Sequence, residues 1–236
     1  NAVEEYKKSV IAEGDTIDEQ ITLTPQPQAS MVIMDQHNGY VKAIVGGRGG
    51  KEASLTLNRA TNTVRQPGST FKVLAAYAPA LDSAGKTLAS TYVDEPYNYS
   101  NGRPVSNYYS GYLGTQTIRT AIEKSMNIIA VKCLTEITPQ LGYDYLLNFG
   151  FTTLVENRTY ADGSTKSDIG QPLALGGLTD GVKNIELTAA YATIANNGTY
   201  IEPTFYTEVI NKSGKVVAKA NPKTKKVISE QVAYIV

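Results

Sequence analysis

The chain of 236 residues has no tryptophan, one cysteine, one histidine and a net charge of zero. Each shortage removes a class of chemistry. Cys133 has no second cysteine to pair with, so no internal disulfide is available. It sits in an apolar helical pattern, where a buried small hydrophobe is the expected role. His37 stands in Asp35-Gln36-His37-Asn38-Gly39, a turn sequence, with no other histidine or cysteine nearby. A histidine-based triad and a zinc site are both excluded, and no cofactor or metal is expected. An activated serine here must use another base. Lys+Arg and Asp+Glu balance at 22 each, which leaves no electrostatic footprint for nucleic acid or an acidic membrane surface. No stretch approaches the apolar length of a membrane span. Phenylalanine is scarce at 4 against 16 tyrosines, a balance that fits polar grooves better than a phosphate-binding face. The length is that of one large domain, or of one and a half ordinary ones.

What is present is concentrated in Arg65-Gln66-Pro67-Gly68-Ser69-Thr70-Phe71-Lys72. Pro67-Gly68 forces a turn and is expected to put Ser69 at the start of a helix. Lys72 follows three residues later, on the same face about one turn on. A serine is a poor nucleophile until something takes its proton, and a lysine kept neutral by burial can do so. At a helix start, unpaired N–H groups also favour a developing negative charge. By itself Ser-x-x-Lys is as readily a solvated helix face. The apolar run Phe71, Leu74, Ala75, Ala78 and Leu81 points instead to a buried helix, running to about Asp82.

Along the chain, residues about 2–12 read as a short amphipathic helix, followed by the Pro/Gln-rich link Thr24 to Gln28. Residues 1–28 are expected to precede a domain that occupies 29–236. Two β runs, Ala29 to Met34 and Tyr40 to Val45, flank a turn centred on Asn38-Gly39. The polar, tyrosine-rich stretch from about Thr91 to Gly114 reads as a long loop, and long loops in compact domains are often functional. Helical pattern resumes at Ile118, breaks around Lys124 to Asn127 and continues to Ile137. Thr138-Pro139 is an N-cap with a proline at the first helical position, opening a helix to about Asn148. Turns fill Thr152 to Gly181. A helix over Ile185 to Ala195 stops at Asn196-Asn197-Gly198. Thr204–Asn211 and Lys215–Ala220 read as a second hairpin. The order, β first and helix after, predicts an α+β fold with helices packed beside an antiparallel sheet.

Ser125-Met126-Asn127 lies at the helix break, 56 residues beyond Ser69. A hydroxyl and an amide two apart can face one cavity, the first to pass a proton and the second to donate and accept hydrogen bonds. Serine and asparagine are also ordinary helix-break residues.

Ser-x-x-Lys followed by Ser-x-Asn resembles the penicillin-binding transpeptidases that crosslink peptidoglycan. The likeness covers nearly the whole chain. Gln28 to Asp35 with Gly39 to Gly47 looks like the opening hairpin of that domain. Asn58-Arg59-Ala60-Thr61, Arg65 to Gly68, Tyr112-Leu113-Gly114, Thr117-Ile118-Arg119, Leu173 to Gly177 and Glu186 to Tyr191 with Ala195 to Gly198 look like its class A, bifunctional branch. The resemblance implies an α+β domain of the serine β-lactamase type, acting in the bacterial cell wall on the outer face of the cytoplasmic membrane. It implies that Ser69 attacks a D-Ala-D-Ala stem peptide, Lys72 is the base, Ser125 relays a proton and Asn127 holds the substrate. An acceptor amine completes the reaction, β-lactams are expected to acylate Ser69, and the Ser69 N–H is an expected oxyanion donor.

One element of the pattern is missing. No Lys-Thr-Gly follows Asn127, and Lys86-Thr87-Leu88 and Lys223-Thr224-Lys225 lack the glycine. The resemblance implies a complementary C-terminal segment with that motif, possibly as a separate chain, and little activity without it. Asn1 to Tyr6 and Ser229 to Val236 both read as interior sequence, the latter as a helix just begun with Ser229 as its N-cap. The chain is thus expected to be part of a longer protein, and the class A resemblance implies a glycosyltransferase domain and a membrane anchor upstream. Rival activities are a D,D-carboxypeptidase, a serine β-lactamase and a non-enzymatic β-lactam sensor. No Glu-x-x-x-Asn follows Ser125 to supply the deacylating base of the second.

Overall fold

The computed structural model describes residues 27–51 and 53–236. The helix expected over about 2–12 and most of the 1–28 link lie outside the described residues.

Met31–Met34 and Val41–Val45 pair antiparallel, with Met31 opposite Val45. The connection is wider than a two-residue Asn-Gly turn. Asp35 O accepts from both Asn38 N and Gly39 N, and its carboxylate accepts from His37 N. Gly39 closes the loop with a left-handed φ of +75°. Half-buried Val32 and Met34 alternate with Met31 and Ile33, which are 53% and 49% exposed. One side of the hairpin packs on the helix Asn184–Ala195, where Asn184 Nδ2 donates to Ser30 O and Oγ.

The centre of the molecule is the helix Asn127–Ile137, in which seven of eleven residues are buried. A helix that is apolar nearly all round must be covered on all sides. The segment Lys72–Tyr77, the helix Pro139–Asn148 and the 3₁₀ turn Gln171–Leu175 cover it. Phe71, Leu74, Ile128, Ile129, Leu134, Leu146 and Leu173 are fully enclosed, each worth roughly 1.5–3 kcal/mol of transfer free energy. Cys133 is enclosed with them, and burial pushes its thiol up to about 11, so it is an inert core residue.

Most punctuation falls where the turn and cap chemistry put it. Thr138 Oγ1 accepts from Leu141 N at the start of Pro139–Asn148. Asn197 and Gly198 take positive φ after Ala195. Glu208–Ile210 pairs with Val216–Lys219, and Ser229 Oγ caps the helix Glu230–Ile235. The exception is the expected loop over 91–114. Thr91–Asp94 pairs antiparallel with Gly114–Thr117, and Tyr97–Asn98 with Pro104–Val105 forms a small hairpin inside it. The strand escaped its period-two pattern because its most buried residue is a carboxylate, Asp94, at 1% exposure. The described residues hold seven two-stranded antiparallel pairs beside the helical body, so the α+β class stands.

The tightest helix contact involves Gly142 on Pro139–Asn148. A Cβ there would lie 2.4 Å from Ala75 O, a backbone atom with no rotamer to yield. Gly142→Ala is therefore expected to lower stability by about 1–3 kcal/mol, despite alanine's better helix propensity. Denaturant unfolding of the two proteins measures the sign directly.

Candidate active site

Ser69 sits in a single 3₁₀ turn, Gly68–Thr70, rather than at the start of a regular α-helix. The chain then runs as a π-helix over Lys72–Tyr77 and becomes α only at Ala78–Ser83. Of the six residues in the π segment only Val73 is β-branched. Single π segments inside helices recur at functional sites. Gly68 takes φ +59°, and Thr70 Oγ1 ties back to Pro67 O at 2.8 Å. Outside clamps hold the turn. Gln66 exchanges two hydrogen bonds with the Leu178 backbone, at 2.7 and 2.8 Å, and Tyr191 Oη donates to Thr70 O at 2.7 Å. Gly176 lies so close that a Cβ on it would be 2.5 Å from Gly68 N. Ser69 itself is exposed, and among the described residues its hydroxyl has no hydrogen-bond partner. Phe71, two residues on, is fully buried and stacks at a tilt on Phe151, 5.0 Å between centroids.

Lys72 turns inward and is 3% exposed. Its Nζ donates to Ser125 O at 2.5 Å and to Ser125 Oγ at 2.8 Å. Among the described residues no carboxylate lies within ion-pair distance of it. Burial penalises the ammonium and draws the pKa down to about 8. A neutral amine has two N–H groups and one lone pair. Ser125 takes up both N–H groups, which leaves the lone pair for a proton from a third group.

Ser125 holds this position at a cost in backbone strain. The helix Ile118–Glu123 ends in a Schellman motif: Ser125 N donates to Ile122 O and Met126 N to Ala121 O. The left-handed residue of that motif is usually glycine, and here it is Ser125 at φ +47°. A non-glycine residue in that conformation costs on the order of 1 kcal/mol and persists where the surroundings impose it. Ser125→Gly is expected to unfold at the same or a higher temperature than the parent, while its rate of reaction with a β-lactam falls. A variant that loses both stability and rate would show that the strain carries nothing.

Asn127 opens the next helix. Its Nδ2 donates to Ser106 O at 2.7 Å, and its backbone N–H goes to the Asn107 side chain. The structure thus joins Lys72 to Ser125 directly, sets Asn127 two residues away and leaves the Ser69 hydroxyl unbonded three residues before Lys72. The four expected residues are not one hydrogen-bonded set. Sequence reading missed Ser106, Asn107 and Asp94, all inside the stretch taken as loop. The available signal was a helix break whose own cap position, Met126, has no polar atom.

The candidate site thus has an exposed serine on a clamped turn, a buried amine three residues on and a second serine bonded to that amine. The sequence model of the penicillin binding protein transpeptidase domain matches residues 29–236, and the chain belongs to that family. Penicillin-binding protein 1A of Clostridium botulinum is 38% identical over 219 residues, which cover 89% of this chain and 25% of that protein. Penicillin-binding protein 1F of Bacillus subtilis is 38% identical over 207 residues, covering 88% and 27%. Penicillin-binding protein 1A from Haemophilus influenzae superposes with a TM-score of 0.73 at 25% identity, over 91% of this chain and 35% of that one. PonA1 from Mycobacterium tuberculosis in complex with penicillin V superposes with a TM-score of 0.72 at 26% identity, over 98% and 57%. The chain spans about a quarter of the length of the curated relatives it matches. The fold class expected from sequence and the class A resemblance both stand.

Proposed function

We propose that this chain forms part of a peptidoglycan D,D-transpeptidase that works through a serine acyl-enzyme. The observation that carries the reading is the buried Lys72 amine, bonded to Ser125 and three residues from an exposed Ser69. In the first step Ser69 Oγ bonds to the carbonyl carbon of the penultimate D-alanine, and its proton passes to Lys72. The peptide bond to the terminal D-alanine breaks, and Ser125 hands a proton to the leaving nitrogen, to be resupplied from Lys72. The Ser69 N–H faces the developing oxyanion, and such a donor contributes roughly 2.7–4 kcal/mol in the transition state. Asn127 holds the substrate's amide side chain. An acceptor amine then attacks the ester and restores Ser69. A β-lactam enters the same first step but leaves an ester that turns over slowly.

The finer reading is that a segment carrying Lys-Thr-Gly completes the site with the second oxyanion donor and the anchor for the substrate carboxylate, and that residues 1–236 are inactive without it. The greater length of the relatives leaves room for it in one polypeptide, and no separate chain needs to be invoked. Exposed Met31, Ile33 and Val45 on the outer side of the opening hairpin support it, because a small sheet with apolar residues on both faces calls for a cover. Residues 29–236 then belong to the transpeptidase domain, with residues 1–28 as its lead-in. The relatives are bacterial, and we place the site on the outer face of the cytoplasmic membrane. Among the described residues no helix is long and apolar enough to cross it.

The test is to treat the full-length protein with a labelled penicillin, map the adduct, and follow its lifetime and the products from a D-Ala-D-Ala peptide with an added amine. A long-lived adduct on Ser69 and an amine-crosslinked product support the reading. Rapid release of the label means a β-lactamase, only hydrolysed peptide means a carboxypeptidase, and an adduct with no turnover of peptide means a sensor.

A further inference from the structure

The helix Asn127–Ile137 starts without a cap of its own. Its N-cap residue is Met126, which has no oxygen to offer the first turn and makes no capping bond. The start is enclosed, so its N–H groups need acceptors from elsewhere. They find one on a side chain 20 residues upstream. Asn107 Oδ1 accepts from Asn127 N at 2.9 Å and from Ile128 N at 3.3 Å. A capping asparagine is normally part of the helix it caps. Here it comes from the folded 91–117 segment and ties that segment to the helix.

Asn107 is itself held. Its Nδ2 donates to Asp94 Oδ1 at 2.7 Å. The other carboxylate oxygen of Asp94 accepts from Tyr109 Oη at 2.7 Å and Leu113 N at 2.9 Å. Asp94 is 1% exposed, and among the described residues it forms no ion pair. A buried carboxylate without a cation is tolerable only while every one of its donors stays in place. The bond to Asp94 also sets which end of the Asn107 amide faces the helix: the nitrogen must point to the carboxylate and the oxygen to Asn127. Ser106 O, next in the chain, receives Asn127 Nδ2.

These bonds end on the motif residues. The Schellman bonds fix Ser125 from its upstream side, and Asn107 fixes the chain just downstream of it. Between the two lies the strained residue that accepts both hydrogen bonds from Lys72. We propose that Asp94 and Asn107 are positioning residues for acyl transfer: Asp94 orients Asn107, and Asn107 seats the Asn127 helix so that Ser125 and Asn127 stay in register with Lys72. The proposal rests on the reading of Ser69 as the acylated nucleophile. It also gives the tyrosine-rich stretch a mechanical role apart from any contact with substrate.

The substitutions separate orientation from simple support. Asn107→Ala removes the cap. Asn107→Asp keeps an acceptor for Asn127 but sets two carboxylates against each other. Asp94→Asn combined with Asn107→Asp reverses the donor and acceptor and restores the bond. Each is made in the full-length protein, and labelled-penicillin acylation is resolved into the binding constant and the first-order acylation constant. Misplacement by about an ångström costs up to roughly a hundredfold in rate. The acylation constant of Asn107→Ala and of Asn107→Asp is therefore expected to fall about 10- to 100-fold in the folded protein, and the double variant to recover most of it. A parental acylation constant in folded Asn107→Ala, or no recovery in the double variant, overturns the proposal. If Asn107→Ala fails to fold, the comparison of Asn107→Asp with the double variant decides. A parent protein that takes no label on Ser69 overturns the underlying reading instead.

Discussion

Ser69→Ala is expected to abolish covalent labelling by penicillin while leaving the fold untouched. The hydroxyl is exposed and, among the described residues, makes no hydrogen bond, so its removal breaks no structural contact. The turn that presents it is held by Gly68, Gln66, Thr70 and Tyr191, none of which uses the Ser69 side chain. Stability should therefore change by no more than about 0.5 kcal/mol, the usual range for surface substitutions. Labelling should fall to nothing, because the proposed mechanism forms the ester on Ser69 alone. Ser125 is the nearest rival, but both hydrogen bonds from Lys72 fall on it, and its left-handed backbone commits it to that contact. Peptide mapping of the parent and intact-mass measurement of the variant are sufficient. Full labelling of Ser69→Ala would move the nucleophile elsewhere.

Replacing Lys72 should have the second largest effect. Arginine preserves the charge but stays protonated, so it cannot fill the role of base proposed for Lys72. A loss of about 10² to 10⁴ in acylation rate is expected, the usual size of a general-base contribution. Lys72 is nearly fully buried, and the larger guanidinium strains the site. Lys72→Met, which fills the same space without a base, is the companion variant and should lose as much rate with less disturbance. Either variant acylating at the parental rate would place the base elsewhere.

The same lysine sets two pH dependences. In the proposed mechanism the neutral amine is the reactive form, so acylation should rise with pH and level off above about 8. At pH 7 only about a tenth of the population carries the neutral amine, which bounds the gain at roughly tenfold. For stability the sign follows from the proton count. Burial lowers the Lys72 pKa from 10.5 in the unfolded chain to about 8 in the folded one. Between those values the unfolded state binds the additional proton, so this group makes stability rise with pH across that window, and the penalty is complete below it. Denaturant unfolding of parent and Lys72→Met between pH 7 and pH 10.5 tests this, since the variant should lack that contribution. A parent curve that matches Lys72→Met throughout would mean that Lys72 keeps its ordinary pKa.

Several parts of the molecule were decided locally and could be read from the chain. Thr138-Pro139, Ser229 and Asn196-Asn197-Gly198 mark helix ends through caps and left-handed residues that need no distant partner. Cys133 and the apolar face around it place the central helix in the core, because an unbroken apolar stripe has nowhere else to go. The spacing of Ser69 to Lys72 and of Ser125 to Asn127 was in the sequence too, together with the absence of a histidine to act as base. Tertiary structure decided the rest. The π turn after Ser69 leaves no trace in residue type. The left-handed Ser125 breaks a local preference that only a distant lysine explains. The hydrogen bonds between Lys72 and Ser125 span 53 residues, and the amine's pKa falls to about 8 only because the fold removes water from it. Asp94 hid its strand by being a carboxylate at a buried position, and Asn107 caps a helix 20 residues away. Local propensity reports what a residue favours by itself; which buried polar groups meet is fixed by packing, and in this chain those meetings build the candidate site.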